Sequence, residues 1–282
     1  MSFSTTNATS SFLESNSLVA KFSFLLLIIF AFVVLFSIGI SIITYLFKPS
    51  GSPKLINGMI DATQQMVFYQ DPSGSTGNST IYRSNNERDG LEFSWSVWIY
   101  IKNLQYLDGK FRHVFYKGNN NLTSDGLNFP NNAPGLYIAP NTNALVVMMN
   151  TYNVINEEVM IPDIPLNKWV NVIIRCENNT LDVYINGTIS RSVELNGVPK
   201  QNFGDVFVAA NGGFEGNISD LWYFNHALGT AAIQEIFENG PKTTLASGSM
   251  SSTAYGSTND YLSMRWFFYG SGDMYNPSFT PN

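Results

Sequence analysis

The stock of reactive groups in this chain is small: 21 Asp and Glu residues, two His and one Cys among 282 residues. Glycoside hydrolysis is the first chemistry such a set suggests. It needs only two carboxylates flanking one bond, about 5.5 Å apart in retaining enzymes. Three places come into question. Glu157 and Glu158 are adjacent, in a segment NEEVMIPD that reads as a loop. Even on a strand, neighbouring side chains point to opposite faces and could not flank one bond. Glu92 opens an apolar stretch and has no acidic residue two positions on. Glu177 and Asp182 straddle a turn, where solvated charges are expected. His113 and His226 lie far apart, one opening a strand and one preceding a helix, so no acid–base dyad is expected. The glycines of Asn211-Gly212-Gly213 do not stand between a strand and a helix in phosphate-cradling order. Catalysis is not expected, and no cofactor with it.

Metal and disulfide chemistry are equally thin. A single cysteine excludes an intrachain disulfide, and one Cys with two His is a poor zinc set. Cys176 ends VNVIIRC, an alternating apolar run, and reads as a buried, inert thiol. Asp108, Asp125 and Asp163 fall in loops, and Ca²⁺ would need several such groups to converge. The net charge is -6, only 13% of residues are charged, and Lys and Arg are scattered. Nothing in that pattern calls for nucleic acid as a partner.

The elements that would position these groups begin with a hydrophobic run. Residues 22–47, FSFLLLIIFAFVVLFSIGISIITYLF, contain no charge and are bracketed by Lys21 and Lys48. At about 1.5 Å per residue, this helix is long enough to cross a bilayer core of roughly 30 Å. Its length and the 21-residue polar tail before it (1–21) favour an uncleaved anchor over a signal peptide. The flanking lysines lean toward a cytoplasmic C-terminal side, whereas the N-x-Ser/Thr triplets at Asn7, Asn78, Asn121, Asn178, Asn186 and Asn217 pull the other way.

A Pro/Gly/Ser stem (48–56) follows, then a body of short strands (57–242), a Ser/Thr/Gly linker (243–260) and an aromatic segment (261–282). Strands are read at Met66–Gln70, Ile81–Arg83, Phe93–Ile101, His113–Lys117, Gly135–Ile138, Ala144–Asn150, Trp169–Cys176, Thr180–Ile185, Ser190–Leu195, Asp205–Ala209 and Gly216–Phe224. In FSWSVWIYI, Phe93, Trp95, Val97, Ile99 and Ile101 share one face. In WVNVIIRC, Val170, Val172, Ile174 and Cys176 do the same. Asn186-Gly187 signals a type I′ hairpin. The one soluble helix read is Gly229–Asn239, with Thr230 as cap and Gly240-Pro241 as stop. This composition predicts an all-β, two-sheet antiparallel jelly-roll sandwich after one transmembrane helix.

Three stretches carry a family likeness: EFSWSVWIYI (92–101) with HVFYKG (113–118), PLNKWVNVIIRCENNTLDVYINGTISRSVEL (165–195), and GGFEGNISDLWYFNHALGTAAIQEIFENGP (212–241). In this order they resemble the concanavalin A-like lectin/glucanase superfamily, in particular its laminin-G-like domains. The resemblance implies a sandwich over about 57–242, with Trp95 and Trp169 filling the interior and Gly216 allowing a close approach. The acidic Glu-x-Asp-x-x-Glu motif of the glucanase branch is absent. The family often holds Ca²⁺ and binds glycans or proteins, which makes Trp98, Tyr137 and Trp222 candidates for sugar stacking. The order of tail, anchor and domain, with VPKQNFGDVFVAANGGF (198–214), is also similar to membrane-associated minor capsid proteins of large algal DNA viruses. That likeness implies a structural role in a virion, between the internal membrane and the capsid. The lipid bilayer would be a partner through 22–47, capsid or other scaffold proteins the further partners, and Trp266, Phe267, Phe268, Tyr269 and Tyr275 the candidate docking residues. Packing of that segment on the domain or on the membrane surface is the other reading. A glycan-binding or adhesion receptor is the alternative function.

Overall fold

The period-two apolar rows become the inner faces of two stacked sheets. The computed structural model describes residues 17–46, 50–71, 80–84, 86–87 and 90–246. The chain divides into two units, Met1–Ser50 and Gly51–Asn282. In the first, helix α1 (Leu18–Leu46) has the length and apolar composition to cross a membrane; it starts one turn before the uncharged run.

The second unit contains β1 (Met59–Asp61), β2 (Met66–Phe68), β3 (Asn86–Glu87), β4 (Gly90–Ile101), β5 (Arg112–Gly118), β6 (Gly135–Ile138), β7 (Leu145–Met149), β8 (Glu157–Ile161), β9 (Trp169–Glu177), β10 (Thr180–Ile185), β11 (Thr188–Glu194), β12 (Asp205–Val208), β13 (Gly216–Phe224) and helix α2 (Thr230–Asn239). One sheet runs β1-β13-β4-β9-β10-β11, with β3 against the start of β4; the other runs β2-β12-β5-β6-β7-β8. All the strand pairs are antiparallel, as a jelly-roll sandwich requires.

Between the sheets lie Trp95, Val97 and Ile99 of β4, Val170, Val172, Ile174 and Cys176 of β9, and Phe115, Leu136 and Val147 of the facing sheet. Trp95 is 1% exposed, and its ring lies 5.0 Å from both Phe115 and Tyr223. Phe115 belongs to the opposite sheet, so this stack joins the two layers. At Gly216 a side chain would collide with the Tyr100 carbonyl, which is the close approach expected there. Asn186 and Gly187 both take positive φ (51° and 76°), as a type I′ turn demands.

Several expectations are corrected. Trp169 is not interior: it is half-buried on the outer face, its ring 5.5 Å from Tyr100, because the apolar row of β9 is the alternate one. Ile81–Arg83 is not a strand, whereas Met59–Asp61 and Glu157–Ile161 are. β8 is a short edge strand on which only Val159 and Ile161 point inward, too brief a pattern to stand out. Thr230 does not cap α2; Gly229 holds that position without a side-chain bond. Residues Gly51–Ile56, read as stem, pack on the domain: Leu55 and Ile56 belong to the core, and the Leu55 amide donates to the Leu221 carbonyl at 2.8 Å. Ala246, read as linker, is core too.

Both outer faces are partly covered. Ile233 of α2 packs on Ile173, Phe224 and Leu228 over the larger sheet. This explains why Ser94, on the outward row of β4, is buried: its hydroxyl accepts from the Leu228 amide and donates to the His226 carbonyl. The Arg175 Nε donates to the Leu228 carbonyl at 3.0 Å, tying the same turn down. On the smaller sheet, Leu127 and Phe111 cover Tyr116, Tyr137 and Phe207. There His113 is fully buried, with Nε2 against the Gly126 carbonyl and no partner for Nδ1. One end of the sandwich is closed by Arg112, which is buried and donates to the carbonyls of Tyr106, Ala139, Leu104 and Pro140.

Two stability predictions follow from these placements. Trp95→Ala should cost roughly 3–5 kcal/mol, and Trp169→Ala about 1 kcal/mol, read by urea unfolding of the full chain in detergent. Equal losses would contradict the assignment of inner and outer faces. Burial holds the His113 pKa down at about 4, against an ordinary 6.5. The unfolded chain therefore binds a proton below pH 6.5 that the native state refuses until about pH 4, and stability falls as the pH drops through that window. The contribution is about 3 kcal/mol at full extent. His113→Gln should flatten the urea midpoint between pH 6.5 and 4; an unchanged slope would contradict the burial.

Candidate functional site

The strand directions bring one set of loops together at the end of the sandwich opposite Arg112. β2 ends there at Phe68, β5 at Gly118 and β7 at Met149, and β12 begins there at Asp205. Lys117, next to last in β5, points inward between the sheets and is buried. Its ammonium donates to the carbonyls of Asn202 (3.1 Å) and Gly204 (2.6 Å), closing this end as Arg112 closes the other. Burial pulls the Lys117 pKa down to about 8; Asp205 opposes the fall and Arg83 adds to it.

Polar side chains fix the loops around this lysine. Asp205 accepts from the Gln70 amide at 2.8 Å, and the Gln70 side chain accepts from the Ile81 amide at 2.7 Å. Gln201 accepts from the Ser84 amide and donates to its hydroxyl. These bonds hold residues 80–84 beside an open cleft lined by Gln70, Tyr82, Arg83, Lys117, Phe203 and Asp205. Above it the Arg83 guanidinium lies 4.9 Å over the Phe203 ring, and that ring is 78% exposed. On the neighbouring loop, Lys200 lies 5.2 Å over Tyr152, which is 72% exposed. Tyr69, Ile155 and Val198 are also exposed on loops of this end. Rings and aliphatic groups held open beside cations and amides suit recognition of an amphipathic partner.

The sugar-stacking candidates lie elsewhere. Trp98 is buried under α2, stacked on Phe237, and Tyr137 is wholly enclosed with its hydroxyl donating to Asn132, so neither ring offers a face to a ligand. Trp222 is half-buried, with Nε1 donating to the Ser52 carbonyl and Lys54 over its ring. Trp266, Phe267, Phe268, Tyr269 and Tyr275 lie outside the described residues. Glu157 is on β8 rather than in a loop and accepts from the Asn196 amide. Glu177 and Asp182 are not separate solvated charges; both pair with Arg175, and Asp182 is buried. His113 is enclosed and His226 exposed, the latter beside Asn225. Asp108 pairs with Arg112, and Asp125 bonds Thr123 within its own loop. Among the described residues no three His, Cys, Asp or Glu side chains converge as a metal site. Cys176 is buried, and burial pushes its thiol up to about 12.

Sequence reasoning missed the rim rings. Phe203 stands in KQNFGD and Tyr152 in NTYNV, apolar rings among Asn, Gln and Gly with no inward-facing row to join. That isolation was the available signal.

The receptor-binding domain of a botulinum neurotoxin C/D mosaic shares 17% identity over a match that covers 53% of this chain and 36% of that one, at a TM-score of 0.42. The binding domain of serotype D shares 15% (66% and 50% covered, TM-score 0.44), and that of serotype G 13% (64% and 46%, TM-score 0.44). The chain thus spans half or less of the length of these solved relatives. No curated protein sequence matches it. The family model described as the concanavalin A-like lectin/glucanases superfamily matches residues 73–234, more than half of the chain. With that match laid over two stacked antiparallel sheets, the chain belongs to the concanavalin A-like lectin/glucanase superfamily.

Proposed function

We propose that this chain is a membrane-anchored connector, a binding domain that joins a bilayer to a protein shell such as a viral capsid. The observation that carries this reading is where the chain enters and leaves the sandwich. It enters at the aromatic end, where the Gly51 carbonyl accepts from the Asn225 amide. It leaves along β1: the Met59 amide donates to Thr244, and the Ala246 amide donates to Met59, a parallel pairing that runs toward the Arg112 end. An entry at one end and described residues 244–246 running toward the other suit a body that spans between two attachments. Helix α1 supplies a membrane attachment, and the aromatic segment 261–282 supplies the protein attachment. The similarity of the anchor-plus-domain order to minor capsid proteins supports the same role.

Glycan recognition is the second reading, favoured by exposed Tyr82 and Phe203 beside Arg83, Asn202 and Asp205. A glycan array probed with the detergent-solubilised chain tests it; saturable binding lost in Phe203→Ala would establish it. For the connector, deletion of 261–282 should leave membrane association and melting unchanged and abolish incorporation into the large assembly, followed by sedimentation. Unchanged incorporation would contradict the reading.

A further inference from the structure

Exposed large apolar side chains are unevenly spread over the sandwich. Tyr69, Tyr82, Tyr152, Ile155, Val198 and Phe203 all stand on loops at the end where Lys117 closes the core. The remaining exposed apolar side chains of the domain are scattered: Tyr106 at the opposite end, Leu122 and Phe129 on the β5–β6 loop, Met160 and Ile189 on β8 and β11, and Leu245 beside β1. A soluble surface gains nothing from this segregation, since each ring left in water forgoes burial. Two of the rings carry a cation over one face, Arg83 on Phe203 and Lys200 on Tyr152. Aromatic rings beside Lys and Arg are the composition that settles at a lipid–water boundary, where the ring meets acyl chains and the cation meets phosphate.

The chain also enters the domain at this end, at Gly51. Only four residues, 47–50, separate Leu46 from Gly51, a tether of about 17 Å at full extension. We infer that this aromatic end rests on a phospholipid surface, with Phe203, Tyr152 and their neighbours in the headgroup layer and Arg83 and Lys200 at the phosphates. The inference rests on the reading of α1 as a membrane span. The loops carry both signs of charge, with Asp71 and Asp205 lining the same cleft as Arg83 and Lys117, so contact is driven by the rings and does not require anionic lipid.

Single-cysteine labelling tests this on the full chain in phosphatidylcholine vesicles. Cys176 is buried with its thiol pKa pushed up to about 12, so it stays silent to maleimide at neutral pH. An environment-sensitive dye goes on Phe203→Cys, on Tyr152→Cys, and on Lys168→Cys at the opposite end. The inference expects blue-shifted emission and quenching by headgroup nitroxide lipids at 203 and 152, with iodide quenching several-fold weaker than at 168. Equal iodide quenching at all three positions would overturn it. So would shielding at 203 and 152 that arises only when a glycan or a partner protein is added. Flotation of the vesicles separates the two claims: a chain that fails to float removes the span, whereas a floating chain with water-exposed labels removes only the surface contact.

Discussion

The stacking of Trp95 against Phe115 across the two sheets is the contact on which the other features depend. It sits near the aromatic end, where Tyr223 adds a third ring and the inner rows of β4 and β9 meet the smaller sheet. Burying these rows supplies the driving force, but it leaves the two ends of the sandwich to be sealed with loops whose carbonyls need donors. β5 meets that need at both ends. Arg112, its first residue, donates to four loop carbonyls, and Lys117, its sixth, donates to two. A cation buried at each end of one strand thus fixes the loops that any partner would meet.

The two ends differ in what they show to the outside. The Arg112 end is polar, with Lys102, Lys110 and Lys168 exposed. The Lys117 end carries rings on loops, several of them cross-braced. Because Gln70, Gln201 and Asp205 hold those loops by side-chain bonds to backbone amides, the rings are held out rather than free to collapse onto the core. Pre-set display of apolar groups lowers the ordering cost of binding. The fold therefore separates an end that displays rings from an end that displays lysines.

Much of this was legible in the sequence. The alternating rows of β4 and β9, the Asn186-Gly187 hairpin and α2 are local patterns, and local patterns survive in one dimension. The errors have a common physical origin. Trp169 and Trp98 were misplaced because a large ring says nothing about which face it occupies until the neighbouring row is assigned. Trp169 sits with Asn171 and Arg175 on the outward row, whereas Trp98 is outward on β4 but buried by a helix more than 130 residues later. Tyr137 was hidden by the long β5–β6 loop, a contact no spacing rule encodes. The rim rings are not legible because Tyr82, Tyr152 and Phe203 are distant in sequence and come to one end of the sandwich only through the strand order β2-β12-β5-β6-β7-β8.

A connector must touch different things at its two ends. Crosslinking mass spectrometry on native membranes, with an amine-reactive reagent, tests this most directly. The account predicts that Lys102, Lys110 and Lys168 crosslink to one abundant shell protein while Lys200 yields no protein crosslink. Crosslinks concentrated at Lys200, or no fixed protein neighbour for the other three, would contradict it.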